Sequence, residues 1–216
     1  MYFKSQITRF VQRYPLVGSL LWASSLQFFI VQAIVASSWL NPLYDWRLNA
    51  ISDLGAVGCG VFDERYVCSP SHLLMNGSLV LLGLTMAVGS LLLYFQLQKS
   101  RVGFSLVAIA GIGAILVGLF PEDSIYWAHV TGQDLAFVFG NIALIVFGFT
   151  LRSTSFFRWY TVSSGVIALI ALILFLSHYR FFLELGGMER VVAYPLLIWL
   201  TVTGSTLAMR YRRARR

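Results

Sequence analysis

Six stretches of roughly 20 apolar residues, each long enough to cross a hydrocarbon core of about 30 Å, dominate this 216-residue chain and leave it few ways to fold. They run approximately over 15–40, 71–95, 102–120, 131–150, 159–178 and 191–209. The expected fold class is all-α: a polytopic membrane protein in which residues 1–216 form a single bundle of six transmembrane helices. With 58% apolar and 12% charged residues, against about 25% charged in soluble domains, the chain is no ordinary cytosolic domain. Disorder is excluded as well, because disordered chains lack the large apolar residues that fill this one.

The net charge of +7 would point to nucleic acid only if the cations gathered on one exposed face. They are instead sorted by connection. Lys4, Arg9, Arg13, Lys99, Arg101, Arg152, Arg158, Arg210, Arg212, Arg213, Arg215 and Arg216 are twelve of the sixteen basic residues, and no acid accompanies them. The nine acids, Asp45, Asp53, Asp63, Glu64, Glu122, Asp123, Asp134, Glu184 and Glu189, fall in or beside the other three connections, with only Arg47, Arg65, Arg180 and Arg190. By the positive-inside rule both termini face the cytoplasm and the protein is multi-pass in the inner (plasma) membrane. Membrane lipid is then the expected partner, with a small amphiphile as a candidate ligand and no nucleic acid. Oligomeric state leaves no signal in the sequence.

The first apolar run, at about 26 residues, is longer than a signal-peptide core and is expected to be kept as the first helix. Tyr2–Tyr14 alternates Phe3, Ile7, Phe10 and Val11 with bases, as a short interfacial helix would. The arginines at the C-terminus read as a topology signal, although they could also attract anionic lipid. Most of the tryptophans (Trp22, Trp39, Trp46, Trp127, Trp159, Trp199) lie near expected span ends, where indole rings favour the interface. Ala110, Ala114 and Gly118, and likewise Gly83 and Ala87, recur every four residues and offer smooth faces for close helix packing.

Cys59 and Cys68 share the first acid-rich connection. In an oxidising compartment they would close a disulfide loop around Val61–Val67, whereas a cytoplasmic loop would keep two free thiols. Their spacing does not match a CxxC metal motif.

Any chemistry is expected at the acid-rich end, where all three histidines, His72, His129 and His178, also fall. Ionisable groups near the bilayer are costly, so they face the protein interior, pair with one another, or serve a function. The first connection supplies Asn49, Ser52 and Asp53, then His72 and Asn76. The second supplies Glu122, Asp123, His129 and Gln133, the last two on one helical face. The third supplies Glu189 and Arg190 at the start of the sixth span, where a helix N-terminus favours negative charge.

Ile-Ser-Asp-Leu-Gly at 51–55, Ser69-Pro70, Gly-Leu-Phe-Pro-Glu-Asp at 118–123, His129, Gly140-Asn141, and Glu189-Arg190 with Pro195 and Trp199 occur in that order. In this the chain resembles the DUF998 family of bacterial and archaeal membrane proteins. The resemblance implies a six-helix membrane protein and lends no activity. It does not extend to Cys59 and Cys68.

Several readings of the polar cluster compete. In the first it recognises a lipid or amphiphile head group, with Arg190 engaging a phosphate or carboxylate and catalysis undecided. In the second it is a metal-dependent hydrolase, in which His72, His129 and Asp53 or Asp123 hold a divalent ion such as zinc and leave a position open for water. Asp53, Glu122, Asp123 and His129 are the candidate catalytic groups. No cofactor is expected on the other readings. A serine hydrolase using Ser52, Ser69, Ser71 or Ser124 lacks the GxSxG elbow, and transport lacks inverted repeats or charge at mid-depth. In the last reading the protein is an accessory subunit whose Asp53, Glu122, Asp123, His129, Glu189 and Arg190 only pair with one another. Asp45, Asp63, Glu64 and Glu184 are expected to be solvated, and His178 interfacial.

Overall fold

In a computed structural model that describes residues 14–62, 65–95, 100–151 and 153–213, the apolar stretches form six helical spans long and apolar enough to cross a membrane. The expected interfacial segment Tyr2–Tyr14 lies outside the described residues except for Tyr14, as do Asp63 and Glu64.

The first span is two helices, α1 (Pro15–Ala23) and α2 (Leu26–Ser37), interrupted at Ser24-Ser25. Ser24 Oγ donates to the Leu21 carbonyl, and such serine back-bonding breaks the regular ladder. Between the first and second spans lie a 3-10 turn (Ser52–Gly55) and a two-stranded antiparallel hairpin, β1 (Gly60–Phe62) with β2 (Arg65–Val67). Gly60 pairs with Val67 and Phe62 with Arg65. The remaining spans are α3 (His72–Tyr94) and α4 (Arg101–Leu119), then α5 (Tyr126–Asp134) continued through a π-helical turn (Leu135–Phe139) into α6 (Gly140–Thr150). They end with α7 (Ser155–Leu176) and α8 (Glu184–Arg213).

Close backbone contact sets the α3/α4 crossing. A Cβ on Gly83 would lie 2.2 Å from the Gly111 carbonyl oxygen, and one on Gly111 would lie 2.6 Å from that of Gly83. Ala110, Ala114 and Gly118 lie buried along α4, so the small-residue face read from the sequence is a packing face. α8 packs against α1 and α7 and closes the bundle.

Not every tryptophan is at an interface. Trp22, Trp39 and Trp199 are almost fully buried, while Trp46, Trp127 and Trp159 are exposed. Trp22, Phe104, Phe147 and Trp199 form a central aromatic cluster, with Phe147 stacked on Trp199 at 4.8 Å. Two of the three buried indole N–H groups are satisfied, Trp22 donating to Ser90 Oγ and Trp199 to Thr161 Oγ1, while Trp39 Nε1 has no hydrogen-bond partner among the described residues.

At the acid-rich end two spans start earlier than their hydropathy suggests. The fourth begins at Tyr126 and not at 131, and α8 begins at Glu184 and not at 191. The polar residues that mark a connection in the sequence are paired inside the bundle, so the helices run through them. His129, Gln133, Glu189 and Arg190 therefore stand on helices at the acid-rich end of the molecule.

Candidate functional site

The disulfide builds one wall of this end. Cys59 and Cys68 are bonded to each other and close the hairpin immediately outside its first ladder pair. The closed hairpin directs Arg65 of β2 inward. Its Nη2 lies 2.6 Å from Asp53 Oδ1 and its Nε 2.9 Å from Asp53 Oδ2, a two-pronged guanidinium–carboxylate contact. The same guanidinium lies over the Phe62 ring and 3.6 Å from Glu122 Oε2.

Asp53 has no exposed surface. Besides Arg65, its Oδ2 accepts from Asn49 Nδ2 and from the Ala50 amide, each at 3.0 Å. Glu122 is also buried, and its Oε1 has no hydrogen-bond partner. Burial first, and the neighbouring Asp53 charge second, push the Glu122 carboxyl up to about 9. At neutral pH Glu122 is therefore protonated and a hydrogen-bond donor, and the Asp53–Arg65–Glu122 trio carries no net charge.

Across from this trio, Glu189 of α8 accepts from the Ile51 amide and lies within 3.5 Å of Gln133 Nε2. His129 of α5 donates from Nδ1 to the Phe120 carbonyl at 2.9 Å. A carbonyl can only accept, so Nδ1 carries a proton, and in the neutral ring Nε2 is the acceptor.

These groups border two cavities. The larger, about 240 Å³, is lined by Arg65, Glu122, Asp134, His178 and Arg180 among others, and its outer wall includes Tyr126 and Leu176. The smaller, about 80 Å³, runs into the bundle between Leu79, Leu82, Val117, Val192 and Leu196, and the π-helical turn contributes Ala136 and Phe137. Ser52, His129, Gln133 and Glu189 line both. π-Helical turns recur at functional sites because they re-aim side chains within a helix.

The residues singled out in the sequence divide into two groups. Ser52, Glu122, His129, Gln133 and Glu189 face the cavities, and Asp53 stands directly behind Arg65. The others hold the frame. Asn76 donates to the Gly55 carbonyl, and Asp123 accepts from the Gly58 amide. His72 Nδ1 meets the Ser69 carbonyl. Arg190 donates from Nη1 to the carbonyls of Trp46, Asn49 and Gly186 and from Nη2 to the Tyr44 hydroxyl, with both aromatic rings against its guanidinium. Arg190 thus fastens the first connection to α8. Gly186 is required at that junction, since a Cβ there would lie 1.9 Å from the Asn49 carbonyl oxygen.

Sequence reasoning missed Arg65, Arg180 and Tyr44. The one available signal for Arg65 was that it lies between the two cysteines. His178, expected at the interface, lines the larger cavity with Arg180. The connection carrying them holds three non-glycine residues at positive φ, His178 (58°), Phe181 (46°) and Glu184 (58°), a conformation that costs about 1–3 kcal/mol for each.

Among the described residues no three His, Cys, Asp or Glu side chains gather as a metal site would require. His72 in particular does not join His129 at either cavity.

The family described as protein of unknown function (DUF998) matches residues 22–206. The chain belongs to the DUF998 family. The match runs from the first span to the last and takes in both cavities. No curated protein and no solved structure matches the chain.

Proposed function

We propose that this DUF998 protein binds an amphiphile at its acid-rich end, with the head group in the larger cavity and the start of the apolar tail in the smaller one. The observation that carries this reading is that a cavity edged by polar groups and an apolar one adjoin at a shared wall of Ser52, His129, Gln133 and Glu189. Binding sites for small molecules combine an apolar lining with a few convergent polar groups in this way.

The smaller cavity, about 80 Å³, is roughly half the volume of a dry apolar cavity that accepts benzene, about 150 Å³. It suits a few carbons, with the rest of a tail leaving the bundle. The wall of the larger cavity between α5 and the end of α7, where Tyr126 and Leu176 are exposed, gives the amphiphile a route in from the lipid.

The acid-rich end is the extracytoplasmic side of the plasma membrane in this reading, with both termini in the cytoplasm. Arg101, Arg158, Arg210, Arg212 and Arg213 at the opposite end support that orientation through the positive-inside rule. The Cys59–Cys68 disulfide supports it independently, because such bonds persist in oxidising compartments. No role for nucleic acid is proposed.

The test is to fill the inner cavity. Ala193 lines it, and Ala193→Phe is expected to weaken binding of a fluorescent single-chain amphiphile at least tenfold while the melting temperature stays within a few degrees of wild type. Unchanged affinity in the folded variant would overturn the proposal.

A further inference from the structure

Arg180 stands apart from the other cations of the acid-rich end. Arg65 is engaged by Asp53, and Arg190 by three carbonyls and Tyr44. Arg180 lines the larger cavity and forms no ion pair among the described residues. Its Nε is buried without a hydrogen-bond partner, and its Nη2 makes only a long contact, 3.5 Å, to His178 Nδ1. Arg190 Nε is likewise buried without a hydrogen-bond partner, so what distinguishes Arg180 is that its guanidinium has no carbonyl or carboxylate partner among the described residues while the residue lines the open volume, where an anion would sit.

We propose that Arg180 is the oxyanion receptor of this cavity and that the amphiphile it takes carries a phosphate head group. This rests on the amphiphile reading above and names its ligand class. A guanidinium presents its N–H groups as a planar fork that matches two oxygens of a phosphate at once. Of the carboxyl groups around the cavity, Asp53 is offset by Arg65, Glu189 is held by the Ile51 amide, and Asp134, which also lines the cavity, is exposed to the screening of solvent. Burial raises the Glu122 carboxyl well above the usual range, which favours its uncharged form beside an anion. The acceptors on the opposite wall, His129 Nε2 and the Gln133 carbonyl, suit a hydroxyl or amine on the same head group.

The experiment titrates the full-length protein in a nonionic detergent with three probes: a short-chain phosphatidylglycerol, a diacylglycerol of the same chain length, and inorganic phosphate. The expected result is at least tenfold tighter binding of phosphatidylglycerol than of diacylglycerol, abolished by Arg180→Gln and partly kept by Arg180→Lys. Inorganic phosphate that binds alone, and is lost in Arg180→Gln, supports the same receptor with free phosphate as its source. Equal affinity of wild type for the two lipids with no phosphate binding overturns the proposal yet leaves the amphiphile reading standing. An unchanged lipid preference in Arg180→Gln also overturns it. Failure of all three probes overturns both. If Arg180→Gln does not fold, the wild-type preference and the Arg180→Lys variant decide.

Discussion

Arg65 Nη2 lies 2.6 Å from Asp53 Oδ1, and this contact joins a disulfide-closed hairpin to the turn that floors the candidate site. The pair is largely withdrawn from water, and Asp53 is wholly buried. Losing either partner therefore strands a charge. Asp53→Asn and Arg65→Met are each expected to destabilise the protein by about 3–5 kcal/mol. The double variant is expected to cost less than the sum of the two, as unfolding in detergent monitored by near-UV circular dichroism would measure. Additive losses would mean that the contact carries no coupling.

Glu122 gives stability a pH dependence of definite sign. Its carboxyl is raised in the folded protein from 4.5 to about 9, so the folded state holds a proton that the unfolded state releases. The contribution is complete below the unfolded value and is lost as pH rises through the folded one. Wild type is expected to lose on the order of 3 kcal/mol relative to Glu122→Gln between pH 6 and pH 9. Parallel melting temperatures for the two proteins across that range would contradict the assignment.

The disulfide closes a loop of nine residues' separation. Loop-closure entropy for such a bond corresponds to about 2–3 kcal/mol, so Cys59→Ser with Cys68→Ser should lower unfolding stability by that amount and loosen Arg65. In intact cells a membrane-impermeant reductant followed by an impermeant maleimide is expected to label both cysteines. Labelling only after the membrane is opened would reverse the proposed orientation.

The α3/α4 crossing depends on absent side chains. Gly83→Leu drives atoms into the Gly111 backbone, where even a Cβ would lie 2.2 Å from the carbonyl oxygen. The two helices must separate, and a loss of at least about 2–3 kcal/mol is expected from overpacking. Wild-type stability in this variant would show that the crossing is not held by glycine contact.

The six spans were legible in the sequence because length and hydropathy are the two quantities a bilayer imposes on a helix. Membership of DUF998 was legible in the order of short motifs from Ile51 to Trp199. The beginnings of the fourth and sixth spans were hidden because hydropathy treats Gln133, Glu189 and Arg190 as solvated, while in the fold they find partners inside the bundle. Trp22 and Trp199 misled for a related reason: an indole at a span end suggests the interface until a hydroxyl such as Ser90 or Thr161 is found to satisfy it in the core. Of the site, Glu122, His129 and Glu189 could be named from charge and position. Arg65 and Arg180 could not, because reaching the cavity depends on a hairpin register and on a connection with positive φ, neither of which hydropathy encodes.

The central claim is that an amphiphile places its head group between Arg65 and His129 and its tail between α3, α4 and α8. Photo-crosslinking with a short-tailed amphiphile carrying a diazirine on its first tail carbons, followed by peptide mapping, tests this most directly. Adducts on Leu79, Leu82, Val192 or Leu196, lost in Ala193→Phe, are the predicted result. Adducts confined to outward-facing residues such as Ile167, Ile170 and Ile173, and unchanged in that variant, would contradict it.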